Sequence, residues 1–292
     1  MRPNRRTLFI ALLLLLISII IWHLLRRSPH EPVYQGKSLT QWLQMGPSTL
    51  RDDAFRNMGT NALPFLIHDL HSREIKWKDK CYFFLQRYSV FRTYLRTGYQ
   101  RHYQAFEALQ ALGSVGKPAI PAIADCLDNP TTALQAVNVL AYDPRGYTPL
   151  LAPEATPALL KALTNNNSSV RTIAANALEL SQTQPGVIVP ALIRALKDPA
   201  PEVRRMAAAS FGGIYKKQSD IIVPALIETL DDKHPDVRKS AVWMLGRYGP
   251  ASKAAIPKLT NLLKDAPSDL EKEIQTALQR IDPARTNQAA TK

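Results

Sequence analysis

Cysteine is nearly absent from this chain of 292 residues: Cys81 and Cys126 are the only two. Two thiols exclude both a disulfide framework and a cysteine-based zinc site, and their apolar helical surroundings read as buried structural positions. Glycine is also scarce, at 12 residues, and none of it forms a phosphate-cradling loop or a Gly-x-Ser-x-Gly elbow; His-Glu-x-x-His is absent as well. Acidic residues number 24 against 37 basic ones, so the formal charge is +13. That excess is uneven: residues 1–37 carry +5, 38–110 carry +4 and 111–292 only +4. The C-terminal body is therefore close to balanced and lacks the basic stripe that a nucleic-acid groove requires. With 46 % hydrophobic residues, most of the chain is expected to fold.

Long apolar runs are missing with one exception. Leu8 to Leu25 is uncharged for 18 residues, preceded by Arg2, Arg5 and Arg6 and followed by Arg26 and Arg27. A helix of about 20 residues crosses the hydrocarbon layer, and Trp22 near one end suits the interface. A cleaved signal peptide is the alternative reading. Its apolar core would be shorter and followed by a small-x-small site, which "WHLLRRSPHEP" does not offer. The expected topology is a single-pass anchor with a cytoplasmic N-terminus and an exported, periplasmic-side body. The expected divisions are a basic N-terminus (1–7), the anchor (8–25) and a linker (26–37). An N-terminal cap with a partial repeat and an insertion (38–102), repeats (103–281) and a disordered tail (282–292) follow.

Self-comparison supplies the main signal. "LPFLIHDL", "IPAIADCL", "TPALLKAL", "VPALIRAL", "VPALIETL" and "IPKLTNLL" place a proline in the same frame at Pro64, Pro121, Pro157, Pro190, Pro224 and Pro257. The last four are spaced 33, 34 and 33 apart, and Pro64 to Pro121 spans one period plus an insertion. In phase with them run "SVRTIAANALEL", "EVRRMAAASFGG" and "DVRKSAVWMLGR", each with apolar residues at helical spacing. A repeat is thus two antiparallel helices, neither able to bury its stripe without neighbours. Proline suits the first turn of a helix, where an N–H has no acceptor, so each proline is expected to begin its helix.

These two halves resemble the HEAT repeat, in the short bacterial form also called HEAT-like or phycobilisome-lyase-type. The resemblance covers residues 103–281 well and 50–72 partly. It implies an all-α fold, a right-handed ARM/HEAT-type solenoid of five to six hairpins, preceded here by the transmembrane helix. It also implies an inter-repeat ladder of turn acceptors Asn165, Asp198, Asp232 and Asp265 with Arg171, Arg204 and Arg238. Arg204, between Asp198 and Asp232, is the residue singled out. Residues 268–281 carry one apolar stripe (Leu270, Ile274, Ala277, Ile281) and a charged back, as a terminal cap would. "KSLTQWL" places Ser38 three residues before Gln41, a capping-box spacing at the other end of the stack.

No reactive constellation emerges. His68 and His71 stand at i, i+3 but lack an evident third ligand. The column four residues after each proline (His68, Asp125, Lys161, Arg194, Glu228, Asn261) alternates in sign, which favours a protein partner over nucleic acid. The insertion from Arg73 to Tyr103 holds 9 of the 22 aromatic residues and a net charge of +6, making it the least repeat-like segment. Trp77, Cys81, Phe84, Tyr88, Phe91 and Leu95 recur at helical spacing and read as packing. Trp77, Tyr82, Arg87, Tyr94, Arg96 and Tyr99 are candidate contacts for a partner or anionic lipid, with Tyr147 in a second loop. The resulting expectation is a non-catalytic, membrane-anchored scaffold for protein–protein contact, without cofactor or metal. The alternative is a HEAT-like lyase or cofactor-handling protein with its site near residues 73–103.

Overall fold

The computed structural model describes residues 18, 31–72, 96–142, 152–180 and 184–284. The expected anchor, Ser18 apart, therefore lies outside the described residues, as do Trp77, Cys81, Tyr82, Arg87, Tyr94, Tyr147 and residues 285–292. Among the described residues no helix is long and apolar enough to cross a membrane. The chain divides into two compact units, Met1–Ala119 and Ile120–Lys292. The helix beginning at Gly98 runs across residues 102/103 and packs with the N-terminal elements.

The first unit opens with a two-stranded hairpin, β1 (Val33–Tyr34) and β2 (Lys37–Ser38), paired Val33 to Ser38 and Tyr34 to Lys37. Gln35 and Gly36 both have positive φ, 48° and 75°, as a two-residue hairpin turn demands. The expected linker is thus partly folded. Helix α1 (Leu39–Leu43) follows, and Ser38 and Gln41 form the reciprocal capping box. Trp42 is buried, and its Nε1 donates to Tyr34 O at 3.1 Å, fastening the hairpin to the helix. Next come α2 (Thr49–Met58), α3 (Leu63–Leu70) and α4 (Gly98–Leu112), with α4 packed on both α2 and α3.

The second unit repeats one hairpin. Its helices are α5 (Ile120–Asp125), α6 (Ala133–Ala141), α7 (Ala152–Ala162), α8 (Ser168–Leu180), α9 (Pro185–Ala195), α10 (Pro201–Ala209), α11 (Ser219–Thr229), α12 (Pro235–Tyr248), α13 (Ile256–Leu262) and α14 (Ser268–Ile281). Even-numbered helices from α6 to α14 form one row, each packed on the next, while the proline-bearing α5, α7, α9, α11 and α13 lie alongside. Helices α12 and α14 approach closely: a Cβ on Gly246 would meet Ala277 Cα at 3.0 Å. Leu270, Ile274, Ala277 and Ile281 are the buried residues of α14, so its charged back is left outward at the end of the row.

Not every proline begins its helix. Pro64, Pro121 and Pro257 stand second in α3, α5 and α13. Pro157, Pro190 and Pro224 instead lie inside α7, α9 and α11, five residues after the first. One turn explains both arrangements. In the first group it is 3₁₀ (Gly59–Ala62, Gly113–Ala119, Gly249–Ala255), entered through glycines at φ 55°, 60° and 58°. In the second group the same turn is α-helical and joins the helix. The carbonyls left without a donor are those four residues upstream, at Pro153, Gly186 and Asp220. All three residues are exposed, so water can take the bond that proline cannot make.

Candidate functional site

The repeat turns share one local device. In three of them, an Asx side chain two residues before the helix N-cap accepts that residue's N–H: Asn167 to Asn165 at 2.9 Å, Ala200 to Asp198 at 2.9 Å and His234 to Asp232 at 2.8 Å. The turn acids therefore hold the turn ahead of the cap and are not themselves the caps. Pinned this way, Asp198 receives Arg171 of the preceding repeat in a two-pronged bond, Nε and Nη2 each at 2.8 Å. Asp232 receives Arg204 likewise, at 2.6 and 2.9 Å. The third guanidinium nitrogen closes the arginine's own turn: Arg171 on Asn165 O at 2.7 Å and Arg204 on Asp198 O at 2.9 Å.

Burial and charge reinforce these rungs. The Arg204 and Asp232 side chains are 8 % and 11 % exposed, and the Arg204 hydrogen bonds hold the Asp232 carboxyl below its ordinary value. At Asp198 burial pushes upward, but the bonds from Arg171 and the Ala200 N–H outweigh it and the net direction is down. Charge-assisted, bidentate contacts of this kind are the strong ones.

The expected third rung is not formed. Arg238 reaches Asp232 O and Lys233 O at 2.9 and 3.2 Å, but its buried Nε has no acceptor and Asp265 is exposed. The cause is Pro267. It occupies the N-cap position of α14, where Ala200 and His234 stand in the earlier turns, and it has no N–H to hold Asp265 in place. At the other end a rung escaped the sequence reading: Arg51 of α2 is buried, donates to Met45 O six residues upstream at 3.3 Å and pairs with Glu107 of α4 at 3.0 Å. "LRDDAFRNMG" matches the Arg204 helix in form, so the signal was present in the sequence.

Two surface features follow from the repeat. The proline-helix column His68, Asp125, Lys161, Arg194, Glu228 and Asn261 is exposed throughout, and neighbouring repeats link across it through Lys161–Asp128 at 2.8 Å and Lys197–Glu228 at 3.5 Å. Between α9 and α11 lies a groove of about 410 Å³ with an apolar floor (Ile193, Leu196, Ile221, Ala225) and charged edges at Lys197, Glu228 and Asp231. A smaller one of about 260 Å³ separates α5 and α7, edged by Asp128, Lys161 and Asn165–Asn167.

The base of the insertion is tied together. Arg96, expected as a candidate partner contact, is paired with Asp69 at 2.9 Å, both side chains largely buried. Burial raises the Asp69 carboxyl despite that partner. Arg101 Nε donates to Ser72 at 3.2 Å, so both ends of the 73–95 segment are held at α3 and α4. Tyr99 is exposed and stacks on Tyr103, with ring centroids 6.4 Å apart. His68 and His71 form no metal cluster: His71 Nδ1 lies 2.9 Å from Ile67 O in its own helix, and no group of three potential ligands occurs among the described residues. Cys126 is buried and its thiol is pushed up to about 11, chiefly by desolvation.

Stacked helical hairpins joined by an Arg–Asp ladder define an all-α repeat solenoid of HEAT/armadillo type. Residues 189–279 match the family described as HEAT repeats. Among solved structures the chain is similar to a designed armadillo repeat protein in complex with the peptide (KR)4, at 20 % identity, over 75 % of this chain and 99 % of that one, with a TM-score of 0.52. It also aligns with computationally designed armadillo repeat proteins for modular peptide recognition, at 19 % identity, over 75 % of this chain and 100 % of that one, with a TM-score of 0.49. No curated protein matches.

Proposed function

We propose that this chain is a non-catalytic, membrane-anchored scaffold that binds a protein partner through its repeats. The observation that carries the reading is the inter-repeat groove between α9 and α11, whose exposed apolar floor includes Ile221 at 44 % exposure. A partner's segment laid there buries side chains between repeats while the charged edges meet its backbone and polar groups. The peptide held by the designed armadillo relative supports a segment, rather than a folded surface, as the bound element. Trp77, Tyr82, Arg87, Tyr94 and Tyr99 of the insertion offer one further aromatic contact, and Tyr147 a separate one. The apolar run 8–25, with three arginines before it and two after, supports an exported domain on a single-pass anchor, with the N-terminus cytoplasmic.

The test is affinity capture from detergent-solubilised native membranes with the full chain and with Ala225→Arg, which fills the groove. A partner retained by the wild-type chain and lost from the variant is the expected result. Equal capture by both removes the groove from the interface. A topology reporter after Lys292 that reads cytoplasmic would overturn the exported placement.

A further inference from the structure

We propose that the last arginine of the ladder, Arg238, is a binding site for a carboxylate carried by a partner, an Asp or Glu side chain of an acidic segment. Three arginines hold the same place in successive repeats, and each is set in the same way. Nη1 is fixed on two carbonyls of its own turn: Asn165 O and Asn166 O for Arg171, Asp198 O and Pro199 O for Arg204, Asp232 O and Lys233 O for Arg238. Nε and Nη2 remain as a two-pronged donor. In Arg171 and Arg204 that fork holds both oxygens of one carboxylate from the next repeat. In Arg238 the fork is unused: Nε is buried without an acceptor, and Nη2 makes no bond among the described residues.

The surroundings favour an anion. A guanidinium cannot shed its charge, and a buried N–H without an acceptor is costly, so the fork gains from whatever supplies the missing oxygens. The chain's own candidate, Asp265, is exposed and is not held in place, because Pro267 lacks the N–H that fixes Asp198 and Asp232 in the earlier turns. Helix α14 begins at this turn, and its N-cap makes no side-chain bond, so its positive end adds to the arginine. The two acids of its first turn are engaged elsewhere: Asp269 faces Lys239 at 3.6 Å and Glu271 accepts from Gln275 at 3.0 Å. A carboxylate is the anion that the fork takes in both closed rungs, where its two oxygens match Nε and Nη2. One such bond competes poorly with water, which favours a segment presenting several carboxylates over a free ion. The site stands whether or not the groove between α9 and α11 is occupied.

The test records the arginine Nε–H resonances of the isotope-labelled full chain in nonionic micelles, assigned through Arg171→Lys, Arg204→Lys and Arg238→Lys. Capped pentaglutamate is the probe and capped pentaglutamine its control. Pentaglutamate should shift the Arg238 resonance and slow its exchange with water about tenfold, leaving Arg171 and Arg204 unmoved, while pentaglutamine moves none. Pro267→Ala lets Asp265 compete for the fork and should weaken pentaglutamate about fivefold. An Arg238 resonance that already exchanges as slowly as those of Arg171 and Arg204, and speeds up in Asp265→Asn, overturns the proposal, because the chain's own aspartate then fills the fork. So does pentaglutamate that moves all three arginines alike, or none. Acetate that acts at the same carboxylate concentration shows an adventitious ion only and overturns the partner.

Discussion

Replacing Arg204 with methionine keeps the aliphatic stem and deletes four hydrogen bonds at once: two to the Asp232 carboxylate, at 2.6 and 2.9 Å, and two to Asp198 O and Pro199 O, at 2.9 and 3.1 Å. The severe consequence falls on Asp232, whose side chain is 11 % exposed and would keep only the His234 N–H as a donor. Removing one partner of a buried ion pair costs about 3–5 kcal/mol, and the surviving backbone bond places this case near 3. Arg238→Met supplies the internal reference. It removes the equivalent bonds to Asp232 O and Lys233 O but strands no carboxylate, so about 1–2 kcal/mol is expected. Because repeat arrays can open in parts, the assay is hydrogen exchange resolved by helix, alongside urea unfolding of the full chain in micelles. Arg204→Met should speed exchange in α10 and α12 far more than Arg238→Met does in α12 and α14. Equal effects would refute the ladder as the source of inter-repeat cohesion, and with it the role assigned to Pro267.

Further consequences can be measured. Pro267→Ala restores an N–H at the α14 cap, so Asp265 should swing onto Arg238 and slow exchange in α14, a gain of about 1 kcal/mol; unchanged exchange would show that the open rung has another cause. Gly246→Val drives a side chain into Ala277 and should cost about 1–3 kcal/mol, read as a lower urea midpoint. Asp198 and Asp232 titrate below their ordinary 3.8 in the folded chain, so their stabilisation is complete above that value and lost as the pH falls beneath it. Arg204→Met should flatten that acid limb of the stability curve. Cys126, buried with its thiol pushed up to about 11, should resist alkylation at pH 8 until the chain unfolds; reaction at the rate of an exposed thiol would contradict the packing of the 3₁₀ turn Cys126–Asp128 after α5.

The repeat could be read from the sequence because its two causes are local. Periodic apolar positions require a partner at a fixed spacing, and Asp198, Arg204 and Asp232 recur in a frame that only stacking satisfies. The stripe Leu270, Ile274, Ala277 and Ile281 was legible for the same reason, and so was the Ser38–Gln41 capping box. Other features turned on conformations that residue identity alone leaves open. Pro64 and Pro190 occupy the same place in the motif. Yet one stands second in an α-helix and the other lies five residues inside one, because the preceding turn is 3₁₀ at Gly59–Ala62 and α-helical from Pro185.

By itself, then, the sequence determined the period, the pairing of helices and the residues able to form a ladder, since these follow from spacing and side-chain chemistry. Which rungs close was decided in three dimensions. Arg238 and Asp265 have the right identities and spacing, but a carboxylate bonds only where the backbone holds it, and Pro267 removes the N–H that does so. Arg96 shows the converse: no periodicity in the sequence pairs it with Asp69, and only the fold sets the two 2.9 Å apart and largely buried.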